Sequence, residues 1–125
     1  MSFDVYLQDF SDAPADRSES VGQRILAPLL DTAGENIVTA DGSAAVYGAG
    51  EVPLDALMFN HIAGESAWNV IFDAAVAGGW VIMPLGGPLC IVTEEHADLV
   101  PQELQGEGLV IVRSGKELLA AATRR

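Results

Sequence analysis

No lysine or arginine occurs between Arg24 and Arg113. That stretch carries twelve acids: Asp31, Glu35, Asp41, Glu51, Asp55, Glu65, Asp73, Glu94, Glu95, Asp98, Glu103 and Glu107. The other six acids and the six bases lie nearer the ends and cancel, so the formal net charge of −12 belongs to the middle of the chain. Phosphate recognition needs clustered Lys and Arg, which excludes nucleic acid as an expected partner. A single cysteine, Cys90, excludes a disulfide framework and a cysteine-based metal cluster. The opening Met-Ser-Phe-Asp has neither a basic nor an apolar leader segment, which reads as a cytoplasmic chain without a secretion signal. The uncharged run from Ala74 to Val92 approaches the length of a membrane span. Gly78, Gly79, Pro84, Gly86, Gly87 and Pro88 interrupt it, so it reads as a helix end, a strand, a turn and another strand, and no membrane partner is expected.

Half of the 125 residues are hydrophobic, and no linker or repeat divides them. The chain therefore reads as one compact domain over residues 1–125. A chain of this size buries roughly two thirds of its unfolded surface, enough for a core without covalent staples.

Phe3, Val5 and Leu7 alternate with Asp4, Tyr6 and Gln8, the pattern of a strand with one buried face. Asp16 and Glu19 have capping-box spacing, and Val21, Ile25 and Leu29 recur every four residues. These predict a helix disturbed by Pro28 and closed by Gly34. Asp41-Gly42 between Asn36–Ala40 and Ala44–Tyr47 predicts a hairpin with that dipeptide as its loop. Ala56–Ile62 reads as a further strand. Trp68, Ile71, Phe72, Ala75 and Val76 share one face of a helix over Glu65–Ala77, stopped by Gly78-Gly79. Trp80–Met83, Leu89–Val92 and Leu109–Val112 read as buried strands. Thr93 opens a short helix, and Ser114 with Glu117 forms a capping box for a last helix ending at Arg124-Arg125. The order is β-α-β-β-β-α-β-β-α-β-α: an α/β (α+β) domain with a mixed sheet of about six or seven strands and three or four helices.

Candidate chemistry is sparse. His61 and His96 are the ordinary titrators near neutrality and the best basis for a ligand or metal site in a small enzyme or binding domain. Neither has a ligand at metal-binding spacing, so no metal is expected. Cys90 sits among Leu89, Ile91 and Val92, where a thiol is inert core filler. Gly48-Ala49-Gly50 meets Pro53 where a dinucleotide fingerprint needs glycine, and Gly86-Gly87-Pro88 lacks the Lys and Ser/Thr of a phosphate loop. No catalytic residue and no cofactor follows. Trp68 and Trp80 read as core.

Three segments resemble small acidic bacterial proteins of unassigned activity, some similar to immunity proteins of secreted toxins. They are Ser2–Gln8, Phe59–His61 with Trp68–Phe72, and Val112–Leu119. The resemblance supplies no catalytic residue. With the base-free middle it implies a cytosolic interaction module that binds and masks a basic protein. Glu51, Asp55, Glu94, Glu95 and Asp98 are the expected rim contacts.

Overall fold

The structure, a computed structural model, describes residues 4–106 and 108–123. Phe3, which the alternation assigns to the first strand, lies outside the described residues, as do Met1, Ser2, Glu107 and Arg124-Arg125. One mixed sheet organises the chain: β1 (Val5–Gln8), β2 (Asn36–Thr39), β3 (Gly42–Tyr47), β4 (Ala56–Ala63), β5 (Val81–Pro84), β6 (Leu89–Ile91) and β7 (Leu109–Ile111). Their spatial order is β2-β3-β4-β1-β5-β6-β7. Neighbours are antiparallel except β6 and β7, which run parallel around the crossover at residues 92–108. This α+β architecture and its element order are those the hydrophobic pattern predicts.

One face of the sheet carries α1 (Glu65–Gly78), α2 (Gly115–Ala122) and a π-helix (Ser18–Leu26). Val5 and Leu7 of β1, Leu57 and Phe59 of β4, and Ile82 and Cys90 of β5 and β6 point into this layer. There they meet Trp68, Ile71, Trp80, Leu118 and Leu26, all essentially buried. Cys90 donates its thiol to the Pro88 carbonyl at 3.6 Å, as filler inside the strand. On the opposite face, Val81, Leu89 and Ile91 form a smaller cluster with Val100, Phe10 and Ala97. The 3-10 segment Glu94–Leu99 thus covers β5 to β7, and among the described residues no element covers the same face of β3, β4 and β1.

Several local expectations are corrected. The first helix has wide π turns: Gly22 N–H reaches the Arg17 carbonyl at 3.3 Å and Ala27 N–H reaches Gly22. Its buried residues are Val21, Gly22 and Leu26, so a five-residue step replaces the expected four. Asp16 does not cap it. Its carboxylate instead accepts from Ser18 N–H at 2.8 Å and from Leu54 N–H at 2.9 Å, tying the helix start to the loop before β4. The chain tightens to 3-10 geometry over Ala27–Leu29 beside Pro28, and Leu30 is extended. Gly34, at φ +73°, belongs to the following Asp31 turn and not to the helix end.

The hairpin is shifted by one residue. Thr39 pairs with Gly42, so the loop is Ala40-Asp41. Gly42 sits against the backbone of Ala63 and Gly64, where a Cβ would collide. Thr93 precedes the 3-10 segment without a side-chain cap, and β7 is a half-buried edge, not a fully buried strand. Val76, expected on the apolar face of α1, is 52% exposed. The last capping box forms: Glu117 N–H donates to Ser114 Oγ at 3.1 Å, and Glu117 Oε1 accepts from Arg113 N–H.

Candidate functional site

The strand directions bring one set of loops together at one end of the sheet. β3 leaves there at Tyr47, β4 enters at Ala56, β1 leaves at Gln8, β5 enters at Val81 and β6 leaves at Ile91. Glu51 and Asp55 lie in the loop from β3 to β4, and Glu94, Glu95 and Asp98 in the segment after β6. All five are exposed and share this end, with Asp9 between them, its N–H bonded to the Asp55 carbonyl at 3.2 Å. Among the described residues the one ion pair is Arg24–Glu19 at 3.1 Å, between two exposed side chains outside this group. The expected rim residues therefore lie in two segments that meet the sheet at this end, and they carry no ion-pair partner within the described residues.

Other carboxylates are spent on the backbone. Asp16 is held below the usual carboxylate range by the N–H groups of Leu54 and Ser18 and the Ser18 hydroxyl. Asp31 is lowered by the Asn36 side chain and the Glu35 N–H. For Asp41 burial pushes upward, but bonds from Ser66, Thr39 and Glu65 outweigh it and the carboxyl is lowered. Asp41 accepts from Glu65 N–H at 3.1 Å and Ser66 N–H at 3.3 Å, so the hairpin loop caps α1 from 24 residues away in sequence. In α1 itself, burial alone raises Asp73.

The two histidines are not brought together. His61 lies in the last part of β4, two residues before its end at Ala63 and five past the Ala56 that pairs with Gln8. It is exposed, in a left-handed conformation at φ 51°. His96 lies at the other end, its Nε2 beside Gly79, just ahead of the Val81 that pairs with the same Gln8. Among the described residues no three of His, Cys, Asp and Glu gather as metal ligands. No described helix is long and apolar enough to cross a membrane.

The open face of the sheet holds what sequence reasoning missed. Strand register aligns Tyr47, Met58, Tyr6 and Met83 in one row across β3, β4, β1 and β5. Tyr6 is 41% and Tyr47 51% exposed, and Met58 and Met83 are half-buried. The neighbouring row holds Ala45, Asn60 and Asp4, with Asn60 Nδ2 donating to Asp4 Oδ1 at 3.4 Å. Beside Tyr47 a shallow groove of about 560 Å³ runs along the edge formed by Gly34, Glu35, Asn36, Ala45 and Gly48. Alternation within β1 marks Tyr6 as outward, yet only the strand order places it next to Met58 and Met83.

Comparisons with protein-family models, with curated proteins and with solved structures find no match to this chain.

Proposed function

We propose that the chain is an acidic cytosolic interaction module that binds and masks a basic protein, most concretely a toxin domain neutralised by its immunity partner. The observation that supports this is the shared placement of Glu51, Asp55, Glu94, Glu95 and Asp98 at one end of the sheet, with no Lys or Arg from residue 25 to 112. Carboxylates that are exposed and not paired within the fold add little to stability, and their summed field accelerates encounter with a cationic surface. No reaction is assigned.

The test is kinetic. A partner captured from the native host is mixed with the purified chain in a stopped-flow series from low to high ionic strength. The association rate constant is expected to fall at least about tenfold, with dissociation changing much less. Replacing the five acids by Gln or Asn should lower the rate at low salt to near its high-salt value. A rate indifferent to salt would remove the proposal.

A further inference from the structure

We infer that the row Tyr47–Met58–Tyr6–Met83 on the open sheet face is the docking strip for an arginine-bearing segment of a basic protein. The inference rests on the preceding reading and adds the surface and the side-chain chemistry.

Four large side chains stand in register across four strands: Tyr47, Met58 and Tyr6 lie where no described element covers the sheet, and half-buried Met83 borders the cluster of Val81, Leu89, Ile91 and Val100. The helix layer covers the opposite face and the 3-10 segment covers β5 to β7, which leaves Tyr6, Tyr47 and Val38 of β2 as the exposed large hydrophobic side chains of the sheet among the described residues. Its surroundings are mainly acidic, with Arg17 the cation near Asp9. Asp4 lies one row away on one side, Asp9 and Asp55 lie beyond Gln8 and Ala56 on the other, and Glu35 lines the groove at Tyr47. A second copy of this chain fits poorly, because it would press one acidic surface against another in a molecule of net charge −12.

An arginine fits both components. Its planar guanidinium stacks on a tyrosine ring while its edge donates to carboxylates, and its methylene stem lies along methionine. Lysine satisfies the charge but not the stacking.

The experiment uses the full chain with ¹³C-labelled methionine methyls, the Met58 and Met83 signals being assigned through Met58→Leu and Met83→Leu. It is titrated with an arginine-rich synthetic peptide and a lysine-rich peptide of equal length and charge. The Met58 and Met83 methyls are expected to move along a saturating curve, and the arginine peptide to bind about fivefold more tightly than the lysine peptide. Tyr6→Ser with Tyr47→Ser should weaken the arginine peptide about tenfold and erase that preference. Should the double variant unfold, Tyr47→Ser alone is expected to halve the preference or more.

Peptide binding that leaves both methyls unmoved would overturn the strip while leaving the acidic end as the binding element. No binding of either peptide would overturn both readings. A chain that sediments as a dimer, with these methyl signals moving on dilution, would give the strip to a second copy and overturn the inference.

Discussion

Gly78 closes α1 directly beneath the Trp80 indole, where a Cβ would stand 2.6 Å from two ring atoms. Alanine there improves helix propensity by about 1 kcal/mol but drives a methyl into a fully buried ring. Overpacking wins: Gly78→Ala should destabilise by about 1–3 kcal/mol, read from the urea midpoint. His61 presents the opposite case. Its left-handed backbone at φ 51° costs a non-glycine residue about 1–2 kcal/mol, and glycine recovers part of that against its own entropy. His61→Gly should therefore stabilise the fold by up to about 1 kcal/mol. Loss of stability in that variant would assign the exposed imidazole a contact of its own.

At the scale of elements, α2 depends on its cap. Ser114→Ala removes the acceptor for Glu117 N–H and should cost about 0.5–2 kcal/mol with an unchanged denaturant slope. This box was legible as S-x-x-E because both partners are local. Asp16 and Glu19 have the same spacing, but Asp16 has a nonlocal competitor, Leu54 N–H, 38 residues away, and no local rule ranks the two. The hairpin dipeptide was legible as a turn signal but not in register. Gly42 serves the close approach of Ala63 and Gly64, and the loop moves back one residue. Likewise the acidic residues were readable as a group in sequence. Their common end, and the Tyr–Met row, required the strand order 2-3-4-1-5-6-7, which period-two alternation does not encode.

For the molecule as a whole, acid stability follows from the carboxylates that the backbone holds. Asp16, Asp31 and Asp41 are lowered by hydrogen bonding. Asp9 is lowered as well, because bonds from Ser11 and Ala15 and the charge of Arg17 outweigh the upward push of burial. A carboxyl lowered on folding stabilises the native state above its ordinary value of 3.8. That stability is lost as pH falls through the folded value. Asp73, raised by burial, has the reverse sign: it favours the fold at acid pH and loses that contribution as pH rises through its folded value. Acidification therefore withdraws stability through Asp9, Asp16, Asp31 and Asp41, and Asp73 acts in the opposite sense. Asp31→Asn should flatten the acid limb of urea midpoint against pH relative to the parent, and an unchanged slope would contradict the assignment.

The clasp of Asp41 on the first turn of α1 has a kinetic corollary. Glu65 and Ser66 take their acceptors from the β2–β3 loop, so these two amides have no partner until that hairpin is in place. Their deuterium uptake should follow the opening of residues 36–47 and not the fraying of a helix terminus. In Asp41→Ala the two protons should exchange at nearly the free-peptide rate while the middle of α1 stays protected, which would make a two-residue loop the gatekeeper for the longest helix in the fold.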